Sequence, residues 1–226
     1  MSKGIFIVIE GPECSGKTTV AKELKVELEA KGHVVNLLLS HNAGPGTLSH
    51  SMRENILNPE YAKDRSDTAT ALLFAVARRS MIDSVIKPAL ECGEVVIVDR
   101  WVMSTLAIQR DCDNVDALNQ IATAGVVPNI TFVFDLKPEK TMERLLKRTE
   151  QQDVLDMVSE EEHKARYNVY MTGQLYPTVE DKYLTYLLSD ENDVDWTYKT
   201  INVNDISIPE TTKEVMDALI DCELIA

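Results

Sequence analysis

The sequence predicts an α/β protein built on a doubly wound, five-stranded parallel sheet with helices on both faces. Three observations predict it. Its short apolar runs are uninterrupted rather than alternating, as in strands covered on both faces. Those runs alternate along the chain with stretches of helical spacing. A glycine-rich turn leaves the first run and opens the first helix, which puts a ligand site at the strand C-termini. The 226 residues suffice for one such domain to bury its core without covalent staples, and a single domain over residues 1–226 is expected.

Ile5 to Ile9 is the first strand, a β-branched run without polar alternation. Residues 17 to 31 carry Val20, Leu24 and Leu28 at helical spacing, and Gly32 stops the helix before a second strand, Val34 to Leu39. The loop His41 to Thr47 follows, then a short helix around Met52 to Leu57 and a long helical pattern from about Asp67 to Leu90. Val95 to Val98 is the third strand, and Ile130 to Phe134, entered after Pro128, the fourth. Pro138 to Arg148 reads as a helix with proline in its first turn. Thr200 to Val203 is the candidate fifth strand, and the acidic run Ser189 to Asp195 reads as a solvated loop.

Lys and Arg number 23 against 37 Asp and Glu, a formal charge of -14. That excludes a broad grip on nucleic acid or an anionic membrane, both of which need basic patches. A small anion held by a few placed cations and backbone amides stays compatible with it. The four cysteines, Cys14, Cys92, Cys112 and Cys222, show neither C-x-x-C nor metal-ligand spacing and read as independent thiols. With no secretory or membrane-spanning segment, the expected location is the cytoplasm.

Gly11-Pro12-Glu13-Cys14-Ser15-Gly16-Lys17-Thr18 fits G-x-x-x-x-G-K-[ST]. The motif leaves a buried strand and opens a helix, which converts the pattern into a phosphate site. Backbone amides of Gly11, Cys14, Ser15, Gly16, Lys17, Thr18 and Thr19 are expected to cradle ATP phosphates at the helix N-terminus. Lys17 then bridges β- and γ-phosphates and Thr18 ligates Mg²⁺. The fold is accordingly a three-layer P-loop NTPase. A guanine-reading N/T-K-x-D stretch is missing, since Thr212-Lys213 is followed by Glu214-Val215, and so is an ABC-type signature. Small-molecule phosphoryl transfer remains.

With the P-loop, the segment Leu72-Leu73-Phe74-Ala75-Val76-Ala77-Arg78 and the stretch Asp99-Arg100-Trp101 through Gln109, the sequence resembles thymidylate kinases from about residue 4 to 170 and weakly again near 200. The resemblance implies ATP- and Mg²⁺-dependent phosphorylation of a deoxynucleoside monophosphate, dTMP first. It implies that Asp99 lies near the metal and acceptor, with Glu13 positioning both, and that Arg100 lies on the transferring phosphate. It also implies that Phe74 stacks on the acceptor base and Arg78 holds the monophosphate, with Arg53 a further acceptor contact. Ser104 and Gln109 match polar positions near the base. Residues about 147–157 look like a lid, with Asp153 its acidic residue, Arg144, Lys147 and Arg148 the nearest cations, and Arg148 a catalytic candidate. A homodimer through helices such as residues 67 to 90 is implied.

Three positions depart from the family pattern. Arg-Glu-Pro-Gly-Gly-Thr after the second strand is here Asn42-Ala43-Gly44-Pro45-Gly46-Thr47. Neither the P-loop, with Cys14, nor the residue after Asp153, Val154, supplies the family's catalytic arginine. Ile108 stands where a tyrosine is usual, and residues 172–198 look unlike the family. A 5-modified dUMP, several deoxynucleotides, a nucleoside acceptor, or a non-catalytic nucleotide-binding module therefore stay open beside dTMP.

Overall fold

Three inner runs and two edge runs form five strands in a computed structural model that describes residues 4–148, 158–172 and 197–226. They are β1 (Ile5–Glu10), β2 (Val35–Leu39), β3 (Val95–Asp99), β4 (Ile130–Asp135) and β5 (Thr197–Asn202). The order is β2-β3-β1-β4-β5 and every pairing is parallel. Central β1 is covered on both faces, so alternate residues feed two cores. Ile7 and Ile9 pack with Val20, Leu24, Leu28 and Leu219, while Phe6 and Val8 pack with Met81, Ile86 and Trp101. A third cluster joins Met103, Leu106 and Tyr170 to Val133.

The helices are α1 (Lys17–Ala30), α2 (Leu48–Leu57), α3 (Pro59–Ala62), α4 (Asp67–Met81), α5 (Lys87–Glu91), α6 (Val102–Ile108), α7 (Val115–Thr123), α8 (Pro138–Lys147), α9 (Glu160–Thr172) and α10 (Ile208–Asp221). Two differ from the sequence expectation. α2 begins at Leu48 rather than near Met52, because the Thr47 side chain accepts from the His50 amide and caps the helix. The long pattern to Leu90 is interrupted by a π-helical turn, Ile82–Ile86. Pro88 has no N–H to offer Ser84, and the Lys87 amide reaches back five residues to Ile82.

β5 also begins earlier than expected, at Thr197, and ends at Asn202. Among the described residues it is an edge strand that pairs only with β4, so Tyr198, Lys199 and Thr200 need not be apolar. Lid residues beyond Arg148, Asp153 among them, and the stretch containing Ser189 to Asp195 lie outside the described residues. No helix among those described is long and apolar enough to cross a membrane.

Candidate active site

Parallel strands all point their C-termini to one edge, and the chain turns sharply there. Besides glycines, Cys14 (φ 57°), Ser40 (φ 50°), His41 (φ 62°) and Arg100 (φ 76°) adopt left-handed backbone just after β1, β2 and β3. Such conformations cost energy in L-residues, so their gathering at one edge marks a site. At Gly11 (φ 137°) a Cβ would come within 2.7 Å of the Phe134 carbonyl oxygen, which makes glycine obligatory where β1 leaves the sheet.

Lys17 is buried and folds back over the loop, donating to the Pro12 carbonyl at 2.5 Å and to Ser15 Oγ at 3.2 Å. Burial, with Arg100 adding to it, pushes its ammonium down to about 8 against the opposing pull of Asp99, Glu13 and Glu10. Thr18 and Thr19 are exposed at the start of α1. Thr18 Oγ1 donates to Asp99 Oδ2 at 2.5 Å, joining the loop to the end of β3. The other oxygen, Asp99 Oδ1, is buried without a hydrogen-bond partner among the described residues. A hydroxyl beside a half-satisfied carboxylate is a hard-oxygen donor set suited to Mg²⁺.

Arg100 bonds Tyr170 Oη at 3.0 Å, Ser104 Oγ at 3.2 Å and the Gly11 carbonyl at 3.5 Å. Glu10, fully buried, accepts from Ser104 Oγ at 2.6 Å and from the Trp101 and Ser104 amides, fixing the start of α6. Burial raises the Glu10 carboxyl pKa, with those hydrogen bonds and Arg100 opposing. Burial lowers the Arg100 pKa, but Tyr170, Glu13, Asp99 and Glu10 outweigh it and carry the net shift upward. The guanidinium therefore stays charged.

Glu13 is enclosed by partners that the sequence did not suggest. Arg166 Nη1, on α9, bonds its Oε1 at 3.0 Å, His163 Nδ1 lies 3.6 Å from Oε2, and Arg100 Nη2 lies 3.8 Å from Oε1. Burial opposes ionisation there, but His163, Arg100, Arg166 and Lys17 together hold the carboxyl far below the usual carboxylate range. Arg144 of α8 donates to the Cys14 carbonyl at 3.2 Å and to that of Val203 at 2.8 Å. The local signal for Arg166 was its i,i+4 spacing to Glu162, which it also bonds at 3.0 Å; its partner in the P-loop is far off in sequence.

On the other side, α4 carries Phe74 and Arg78 on its buried face. Phe74 is 4 % exposed and touches the His41 ring, centroids 4.9 Å apart and planes at 56°. Arg78 is 1 % exposed. It bonds Thr105 Oγ1 at 2.7 Å, the Trp101 carbonyl at 2.9 Å, Asn119 Oδ1 at 2.9 Å and His41 Nε2 at 3.1 Å. Arg53, half-buried on α2, is close enough to act on the His41 charge. Ser104 and Gln109 are both buried at the two ends of α6. Arg148 is exposed at the end of α8, and Lys147 pairs with Glu143.

Residues 9–179 match the family model described as thymidylate kinase. Among curated proteins, a thymidylate kinase of an Exiguobacterium species is 33% identical over 74% of this chain and 78% of its own length. Those of Bacillus licheniformis and Lactobacillus helveticus are 40% and 36% identical, over 63% and 81% of this chain and 68% and 87% of their own lengths. The chain belongs to the thymidylate kinase family. As a thymidylate kinase family member it is a nucleoside monophosphate kinase. The matched span runs from β1 through α9, so the P-loop, Asp99-Arg100, Phe74 and Arg78, and Arg166 all lie within the thymidylate kinase region, while β5 and α10 lie beyond it.

Proposed function

We propose that the protein transfers the γ-phosphoryl group of ATP to dTMP, with Mg²⁺ held by Thr18 and Asp99, as one catalytic unit over residues 1–226 closed by a lid at about 147–157. The observation that carries the reading is the Thr18–Asp99 pair with its unsatisfied Oδ1, set beside Lys17 and Arg100 on the loop of a nucleoside monophosphate kinase. The relatives' name supports dTMP as acceptor. In the reaction an acceptor phosphate oxygen bonds to the γ-phosphorus as the bond to the ADP oxygen breaks. A bound Mg²⁺ supplies neutralisation of phosphate charge.

The loop amides from Gly11 to Thr19 cradle the donor phosphates, and Lys17 exchanges its Pro12 and Ser15 bonds for phosphate oxygens. Arg100, steadied by Ser104 and Tyr170, places a fixed cation where charge spreads in transfer. Glu13 acts as a positioning residue that keeps Arg166 and Arg100 at the loop, and Arg148 serves the donor from the edge of the lid. Arg53 and Arg100 take the acceptor phosphate. We propose further that Arg78, buried among protein acceptors on the same face of α4 as Phe74, serves the base end of the acceptor, where the sequence expectation gave it the monophosphate.

Incubation with ATP-Mg²⁺ and a panel of dTMP, dUMP, 5-hydroxymethyl-dUMP, dCMP and thymidine, followed by separation of products, tests the proposal. dTDP formed fastest is the expected result. No diphosphate from any monophosphate would overturn the kinase reading, and a faster modified dUMP would replace the acceptor.

A further inference from the structure

The loop after β2 lost the family's arginine and glutamate, and the residue just before that stretch is His41. Its side chain is 2 % exposed, held at φ 62° and set against Phe74. An arginine can only donate, so the Arg78 Nη2 bond at 3.1 Å makes His41 Nε2 the acceptor. Burial, then Arg78, Arg53 and Arg100, keep the ring neutral. A neutral imidazole that accepts at Nε2 carries its proton on Nδ1. That Nδ1 is buried with no hydrogen-bond partner among the described residues. Buried donors are normally satisfied, and one left open beside an aromatic ring and two arginines calls for a ligand oxygen.

Resting on the acceptor site proposed above, we infer that His41 is a specificity-determining residue whose Nδ1–H donates to an exocyclic oxygen of the acceptor's pyrimidine base. It thus supplies a neutral donor at the mouth of the loop that lacks the charged family pair. The chemistry selects bases with ring carbonyls and gives no advantage to an amino group in the same place, because two donors would face each other. His41 also ties Arg78 to Phe74, so the base platform and the donor form one unit.

Two substitutions separate donor from structural support, since an Asn amide nitrogen stands near the place of histidine Nδ1 and a Gln amide oxygen near that of Nε2. Asn also tolerates the left-handed backbone. We expect His41→Gln, which keeps a partner for Arg78, to raise the KM for dTMP at least about tenfold with kcat within about threefold, and to narrow the preference for dTMP over dCMP. His41→Asn, which keeps a donor, should stay within about threefold of the wild type. Unchanged KM in the Gln variant, or equal losses in both, would overturn the inference. Should either variant fail to fold, ¹⁵N NMR of the wild-type imidazole decides. An Nδ1–H tautomer whose nitrogen shift moves on adding dTMP supports the donor, and an Nε2–H tautomer or an unmoved shift overturns it. Failure of wild-type turnover would count against the kinase proposal instead.

Discussion

Lys17 ties the phosphate loop to pH. Its folded-state value of about 8 lies below the 10.5 of an unperturbed lysine, so the unfolded chain binds more protons between those limits. This group's contribution to stability therefore rises with pH from about 8 to 10.5. Nucleotide phosphates favour the ammonium, so ATP affinity should fall about tenfold per pH unit above that value; calorimetry at pH 7 and 9.5 checks it, and Lys17→Met should remove the dependence. Glu13 and Arg166 form a second residue-scale test. Both are nearly fully buried, and Arg166→Met removes the hydrogen-bonded cation from Glu13 while leaving Arg100 and His163 nearby, so it should cost about 1–3 kcal/mol. Glu13→Gln with Arg166→Met should recover part of that in urea denaturation. The depressed Glu13 carboxyl has the same sign of pH dependence as Lys17 in a lower window: its stabilisation is present above the ordinary glutamate range and is lost as pH falls below it. Lys17, Thr18 and Asp99 were legible in sequence because their signals are local. Arg166, His163, Tyr170 and His41 were not, because each acquires its meaning from a partner brought over by the fold, as Tyr170 does from Arg100.

At the scale of elements, β1, β3 and β4 could be read because inner strands buried on both faces are continuous apolar runs, and β2, at the opposite edge from β5, still keeps four apolar residues of five. β5, at the edge, has one neighbour and a polar sequence, and its boundaries shifted accordingly. The π turn was hidden because Pro88 interrupts the hydrogen-bond ladder without interrupting the apolar spacing of Met81, Ile82 and Ile86. The junction of β1 with α1 allows a sharp test. Gly11→Ala must fit a methyl 2.7 Å from the Phe134 carbonyl oxygen at φ 137°. We expect a loss of about 2–4 kcal/mol together with loss of nucleotide binding, read by thermal melts with and without ATP. The control is Ser207, whose side chain and that of Glu210 form a capping box on α10. Ser207→Ala should cost about 1 kcal/mol and leave kcat unchanged, since the cap lies outside the proposed transfer chemistry.

Across the whole molecule, the -14 net charge surrounds a core of cations, Lys17, Arg78, Arg100, Arg144 and Arg166, each tied to the strand C-terminal edge or to the acceptor side of α4. α4 divides its labour by face. Phe74, Ala77, Arg78 and Met81 turn inward, whereas Leu72 (52 % exposed) and Val76 (44 %) lie one turn apart on the opposite side, followed by the exposed Arg79–Asp83 pair. Family resemblance implies a homodimer through this region, and an apolar stripe continued by a charge pair suits a self-complementary two-fold contact. Because the same helix carries the proposed base platform on its inner face, dimerisation would brace the acceptor site. Sedimentation velocity should show a dimer at micromolar concentration, and Leu72→Glu with Val76→Glu should give a folded monomer. The monomer should also bind dTMP at least about threefold more weakly if bracing matters, because the ordering of α4 is then charged to the ligand. A wild-type chain that sediments as a monomer at every concentration would remove both the interface and the bracing.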